Sequence, residues 1–179
     1  MGSDFRPLYR HLARLSTLPQ GTTVVDAACG AGLCLEWLDP TRHHHYVGVD
    51  LSPSMLEAAT RVASERGFTD VTLHLGDAAS MPLSDGQAEV GLTYNALHCL
   101  PDPRAALSEL ARCVAPQGTI LGSTLVKGGS TRADRILAAD TTMGPGGTAK
   151  ELEGWLVEAG MSDIHMEESN AMVVFAARR

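Results

Sequence analysis

Aromatic side chains are scarce in this sequence. Three Phe, two Trp and three Tyr make up 4% of 179 residues. That scarcity argues against base-stacking platforms, aromatic cages and antibody-like surfaces. Basic residues are also in short supply, with 14 Lys+Arg against 21 Asp+Glu and a net charge of −7. An acidic balance lacks the electrostatic footprint of a nucleic-acid-binding protein. The four cysteines, Cys29, Cys34, Cys99 and Cys113, form no C-x-x-C pair, which argues against a zinc site or a thioredoxin-like motif. No run approaches the roughly 18–20 apolar residues of a membrane span. The first residues, Met1-Gly2-Ser3-Asp4-Phe5-Arg6, carry no apolar signal region and no myristoylation pattern. Reduced thiols and the lack of a targeting segment set the expectation of a cytoplasmic protein.

What remains is ordinary globular material, 44% apolar and 20% charged. The length predicts one domain able to bury roughly 70% of the surface of its unfolded chain. Residues 5–18 read as a short amphipathic helix with Phe5, Leu8, Leu12 and Leu15 on one face. Strand and helix patterns then alternate. Strands are predicted at 22–27, 46–50, 71–75, 88–93 and 119–126. Helices are predicted at 32–38, from Pro53 to the stop at Gly67, and from Pro103 through Val114. Ser52 and Pro53 supply an N-cap and a first helical position. A short helix is expected near 133–139. Thr148 and Glu151 form a capping box for a last helix, and Gly160 ends it. Two closing strands, 164–168 and 171–177, flank a turn at Glu168-Ser169-Asn170.

This order predicts a Rossmann-like, doubly wound α/β fold with seven strands, mostly parallel, closed by an antiparallel C-terminal pair. Residues 1–179 read as a single domain. Within it, 1–20 form an N-terminal helix or lid, 22–126 a cofactor-binding core, 127–147 a variable substrate-side segment, and 148–179 the closing helix and strand pair. Ligands of such sheets bind beyond the carboxyl ends of the strands, so chemistry is sought there.

Strand one ends in Asp26-Ala27-Ala28-Cys29-Gly30-Ala31-Gly32. Glycines at that point let a ligand approach the backbone. Asp50 ends the next strand, where a carboxylate can accept both hydroxyls of a ribose. A nicotinamide fingerprint needs a third glycine where this chain has Leu35. The run Val-Val-Asp-Ala-Ala-Cys-Gly-Ala-Gly resembles instead the first motif of class I S-adenosylmethionine-dependent methyltransferases. Residues 47–56, Val-Gly-Val-Asp-Leu-Ser-Pro-Ser-Met-Leu, resemble the second motif, and 75–83, Leu-Gly-Asp-Ala-Ala-Ser-Met-Pro-Leu, the third. The segments 90–103 and 107–121 resemble the fourth and fifth strands with the helix between them. The likeness spans roughly residues 22–177. It departs at Ala28, where many members have Gly.

The resemblance implies S-adenosylmethionine as cofactor and a small organic acceptor methylated on oxygen or carbon. No nucleic-acid or membrane partner is expected, no metal is called for, and the chain is expected to be a monomer or homodimer. It implies that Ala28, Cys29, Gly30 and Gly32 cradle the methionine and ribose part. Asp50 binds the ribose, with a helix-capping or surface acid as the alternative. Leu51 and Met55 lie in the segment bordering the adenine, Met55 being otherwise a core residue. In the third motif, with Gly76, the adenine amino group donates to Asp77, otherwise a turn cap, and the Ala78 amide donates to the ring. Asp26 either binds amides of the glycine turn or contacts the cofactor's amino group. Met81 is either an adenine neighbour or a core residue. Asn95 either presents its backbone to the cofactor or makes a structural turn. Tyr94-Asn95-Ala96-Leu97 does not match the Asn/Asp-Pro-Pro-Tyr/Phe of enzymes that methylate amino groups of adenine or glutamine. His98 is the catalytic candidate, a general base of suitable pKa, with a satisfied packed histidine as the alternative. His43, His44 and His45 are adjacent in an extended segment and so cannot easily share one metal. Tyr9 reads as a lid residue or as plain helix packing. Two rival functions are a non-catalytic cofactor-binding or interaction protein on this scaffold and a nicotinamide oxidoreductase.

Overall fold

Each β-branched run of the sequence is a strand of one seven-stranded sheet in the computed structural model, which describes residues 4–128 and 144–179. The strands are β1 (Thr23–Ala27), β2 (His45–Asp50), β3 (Val71–Leu75), β4 (Ala88–Tyr94), β5 (Val114–Leu125), β6 (Ser162–Ser169) and β7 (Met172–Arg178). Their spatial order is β3-β2-β1-β4-β5-β7-β6. The first five are parallel, and β7 runs antiparallel between β5 and β6. The chain builds outward from β1 through β2 to β3, then returns to the other side of β1 with β4. The switch point therefore lies between β1 and β4.

The helices are α1 (Arg6–Ala13), α2 (Pro53–Arg66), α3 (Pro103–Cys113) and α4 (Ala149–Glu158). None of the described helices is long and apolar enough to cross a membrane. Alternation along the strands divides the core into two layers. Val25, Val47, Val49, Ile120, Val173 and Phe175 meet Leu107 and Leu110 of α3 and Leu152 and Leu156 of α4. On the opposite face Val24, Tyr46, Leu92 and Val174 meet Leu8 and Leu12 of α1, together with Leu15, Leu35 and Leu38.

Local chemistry sets the helix ends. Ser52 accepts from the Met55 amide at the start of α2, and Gly67, at φ +80°, ends it in the left-handed region. Asp102 caps α3 through the Ala105 amide at 2.9 Å. At α4 the Thr148 hydroxyl accepts from the Glu151 amide, and the Glu151 carboxylate accepts from the Thr148 amide at 2.8 Å.

Three boundaries differ from the sequence expectation. The helix expected at 32–38 is only a 3-10 turn, Leu33–Glu36. Its hydrogen bonds run from Leu35 to Gly32 and from Trp37 to Cys34. The segment has too few residues before Asp39-Pro40 to repay a helical nucleus, and burial of Cys34, Leu35 and Leu38 holds it instead. Strand β5 begins at Val114, since Ala88 pairs with Val114 and Val90 with Thr119; the Pro116-Gln117-Gly118 turn bulges out between these pairs. The closing hairpin turns at Asn170-Ala171, with Asn170 at φ +57° and Ser169 paired with Met172. The helix expected near 133–139 lies outside the described residues, as does much of the 127–147 segment.

Gly122 of β5 sits where β4 and β7 close upon it. A Cβ there would lie 2.4 Å from the Thr93 carbonyl oxygen and 2.4 Å from Cζ of Phe175. Gly122→Ala is expected to destabilise the protein by at least about 1–3 kcal/mol, the usual cost of overpacking. Urea unfolding monitored by circular dichroism measures it, and an unchanged midpoint contradicts this packing.

Candidate functional site

A cleft of about 700 Å³ opens beyond the carboxyl ends of β1, β2, β3 and β4. The loop leaving β1 forms its floor. Three of five residues there have positive φ: Ala28 at +57°, Gly30 at +54° and Gly32 at +88°. The Cys29 amide donates to the Val49 carbonyl at 3.0 Å, and the Gly30 amide to Asp50 Oδ2 at 2.8 Å. Asp50 Oδ1 accepts from the Ser52 amide at 2.9 Å. This half-buried carboxylate thus pins the loop to the start of α2. Each oxygen keeps a further lone-pair site for a ligand hydroxyl. A Cβ on Gly30 would meet no protein atom within 4 Å, whereas one on Gly32 would press on Ala59 of α2 at 3.3 Å. The first glycine leaves room for a ligand, and the second lets α2 approach.

The structure brings together ten of the twelve residues that the sequence assigned to cofactor binding. Ala28, Cys29, Gly30, Gly32, Asp50, Leu51, Met55, Gly76, Ala78 and Asn95 all line the cleft. Leu51 and Met55 are exposed on its wall. Asn95 has φ +55°, and its amide donates to the Ser123 carbonyl at 2.8 Å. Asn tolerates that left-handed conformation better than most residues, so the bend after β4 is local chemistry as well as cleft wall.

Asp26 and Asp77 stand elsewhere. Asp26 is 1% exposed and lies behind the loop, on the face of β1 opposite Val25 and Ala27. It accepts from the Tyr46 hydroxyl at 2.6 Å and is also hydrogen-bonded to Cys34. Its protein partners are therefore not the amides of the glycine turn. Burial pushes its carboxyl up to about 6. The same burial, with the carboxylate beside them, pushes the Tyr46 phenol and the Cys34 thiol well above their ordinary values. Asp77 is exposed and closes a turn, accepting from the Ala79 amide at 2.9 Å, while its neighbours Gly76 and Ala78 face the cleft. Met81 is buried in the core.

His98 lies in a second, much smaller cavity with Thr124, Leu125, Val126, Leu152 and Trp155. Its Nδ1 accepts from the Leu125 amide at 3.3 Å and sits 3.2 Å from the Thr124 hydroxyl. Burial lowers its pKa. The 3-10 turn Leu97–Cys99 sends Leu97 and His98 inward and leaves Ala96 and Cys99 on the cleft. These contacts describe the satisfied histidine rather than a base at the cleft. His43 and His45 are exposed and His44 is buried, so the three side chains do not share one environment. Tyr9 is exposed on α1, its ring 6.1 Å from that of Trp37, and does not line the cleft.

Glu36 and Tyr94 line the cleft too, although no sequence motif marks them as site residues. A helix at 32–38 gives Glu36 no cleft signal, and Tyr94 is marked only by its place after β4. Among the described residues the charged groups on the cleft are Glu36 and Asp50, both acidic. Tyr94, Asn95 and Cys99 add neutral polar side chains and the rest of the lining is apolar or backbone, so the two carboxylates favour a ligand that carries positive charge.

Comparison with known proteins bears on the family and the fold. The family model described as "Methyltransferase domain" matches residues 25–122. A probable chloroplastic tocopherol O-methyltransferase of Oryza sativa is 35% identical over 100 residues, covering 55% of this chain and 28% of that protein. Nocamycin O-methyltransferase of Saccharothrix syringae is 32% identical over 120 residues, covering 65% of this chain and 42% of the relative. The chain thus spans less than half the length of either. Among solved structures, phosphoethanolamine N-methyltransferase 2 of Haemonchus contortus with S-adenosyl-L-methionine has a TM-score of 0.81 at 15% identity. That match covers 98% of this chain and 52% of the other, a likeness of fold.

Two stability measurements test the loop and its support. A buried carboxyl with a raised pKa keeps its proton in the folded state when the unfolded chain has lost it. The associated stability is full below about pH 4 and is lost as pH rises through about 6. Asp26→Asn mimics the protonated form. It is expected to match wild type near pH 4 and to exceed it by roughly 2–3 kcal/mol above pH 7 in urea unfolding; no gain at high pH contradicts the assignment. Ala28→Gly removes a Cβ from the left-handed region. It is expected to stabilise by about 0.5–1 kcal/mol, read as a higher thermal midpoint.

Proposed function

Because the chain belongs to the class I S-adenosylmethionine-dependent methyltransferase family, we propose that it transfers a methyl group from S-adenosylmethionine to oxygen or carbon of a small organic acceptor. The observation that carries this reading is the Asp50 carboxylate, held on the Gly30 and Ser52 amides at the cleft floor. Its remaining acceptor sites fit the two hydroxyls of a ribose. The acidic character set by Glu36 and Asp50 fits a cofactor bearing a sulfonium and an ammonium group. The exposed Leu51 and Met55 offer apolar surface for a purine, with the Ala78 segment opposite them as its polar edge. When bound, S-adenosylmethionine supplies a methyl already activated by its sulfonium.

The protein's task is then to hold the acceptor in line, which is worth roughly 7–11 kcal/mol of barrier. An acceptor that is neutral or weakly acidic matches a cleft whose described lining carries no cationic side chain to bind a phosphate or carboxylate. Small acceptors are what the two curated relatives' names describe, a tocopherol and nocamycin. We place the activity in the cytoplasm, in a monomer or homodimer without nucleic-acid or membrane partners. Against a nicotinamide enzyme stands Leu35, fully buried where the third glycine of that fingerprint belongs.

Calorimetric titration with S-adenosylhomocysteine and with NAD tests the cofactor. Micromolar or tighter binding of the former and none of the latter is expected; preference for NAD sinks the reading. Asp50→Asn is expected to weaken S-adenosylhomocysteine about 10–100-fold, since charge-assisted hydrogen bonds are lost. Release of S-adenosylhomocysteine from S-adenosylmethionine in the presence of hydroquinone, catechol or a β-keto ester tests turnover. Binding without turnover of any acceptor favours the non-catalytic alternative.

A further inference from the structure

One buried pair stands beside the cleft. Tyr94 ends β4 and lines the cleft. Its hydroxyl lies 2.7 Å from Nδ1 of His11, a buried residue of α1, and the two rings stand 5.8 Å apart. Helix α1 is fixed there by Leu8 and Leu12, which pack on the same core layer as Tyr94. A phenol bonded to an imidazole at a cleft wall can accept a proton on one side and pass one on at the other.

We propose that Tyr94 and His11 form a proton relay for the methyl acceptor, with Tyr94 as the catalytic residue that faces the acceptor and His11 as the positioning residue that receives the proton. The proposal rests on the acceptor reading above. The proton of an acceptor O–H passes to Oη of Tyr94 as the Tyr94 proton passes to Nδ1 of His11. The acceptor oxygen forms the new bond to the methyl carbon, and the pair of the broken C–S bond stays on sulfur. One positive charge is present before the step, on sulfonium, and one after it, on imidazolium. The site gains no net charge, and the imidazolium then loses its proton to solvent.

The surroundings set the resting protonation of the pair. Burial holds the imidazole down at about 4, so His11 is neutral at pH 7 and an imidazolium formed there gives its proton up readily. Arg14 adds to that lowering, while Glu167 of β6 opposes it and is itself paired with Arg10 at 2.6 Å. Burial, with Cys34 and Asp26 beyond it, keeps the Tyr94 phenol protonated. Tyr94 therefore does not act as a free phenolate and needs His11 to take its proton.

The test compares wild type, Tyr94→Phe and His11→Asn on two phenols: hydroquinone, un-ionised at pH 7, and a nitrocatechol, already ionised there. Circular dichroism and S-adenosylhomocysteine affinity control for folding. Hydroquinone turnover is expected to fall about 100-fold or more in both variants. Nitrocatechol turnover is expected to fall only a few-fold, because no proton has to be removed. High pH is expected to restore hydroquinone turnover as that phenol ionises. Equal loss on both phenols overturns the relay and leaves the pair a structural role. Wild type that binds S-adenosylhomocysteine but methylates neither phenol nor a β-keto ester overturns the acceptor reading instead. Where neither phenol turns over, the relay is decided by nitrogen NMR of His11 in the S-adenosylhomocysteine complex. An Nδ1 that is unprotonated at pH 7, and whose shift moves in Tyr94→Phe, supports it; a protonated Nδ1 overturns it.

Discussion

The hydrogen bonds from Gly30 and Ser52 to the Asp50 carboxylate are the constraint on which the cleft depends. Without them the loop after β1 has three residues at positive φ, one of them Ala28, and little to hold it. A strained segment persists only where its surroundings over-determine it. Here the parallel pairing of β1 with β2 brings Asp50 to the level of the loop, and the Cys29 amide adds a bond to Val49. One carboxylate therefore joins the ends of two strands and the beginning of α2. The same group is the main polar recognition element for the ribose in the proposed function.

Beneath the loop, Asp26 gives a second kind of support. Its contact with the Tyr46 hydroxyl ties β1 to β2 from the buried face. A carboxyl fully removed from water is expensive when ionised, which is why its pKa rises. Asp50 and Asp26 thus resemble each other in sequence, each within one residue of a strand's end, and differ in environment. Asp50 emerges at the cleft with backbone donors, and Asp26 turns inward to a phenol and a thiol. Around them the cleft keeps few polar groups, so orientation falls to a small number of fixed contacts. His11 and Tyr94 add one more such contact beside the cleft.

Much of the fold is legible because its signals are local. Ser52-Pro53 and Gly67 bound α2, Thr148 with Glu151 starts α4, and the period-two run at 71–75 is β3 residue for residue. Errors arose where a tertiary contact outweighed a local pattern. Residues 33–38 carry helical spacing, but their apolar side chains are buried by a tight turn that needs no helix. At the site, the residues on the loop after β1 were readable because glycine and a strand-end acid mark a backbone geometry. His98 misled because an imidazole near a cleft in sequence has no fixed direction; its 3-10 turn sends it to the Thr124 and Leu125 side.

The sequence by itself determined the alternating order of strands and helices, the caps, and the chemical type of the loop that Asp50 closes. These follow from backbone preferences and side-chain periodicity within a dozen or so residues. Only the tertiary structure decided which groups meet. Tyr94 and His11 are 83 positions apart and touch because α1 packs across the carboxyl end of β4. Asp26 finds Tyr46 because β1 and β2 lie in parallel register, and Asp77 is left to its turn while its neighbours face the cleft. The physical reason is common to all three. A strand fixes which face a side chain takes, but packing of distant elements fixes what stands on that face.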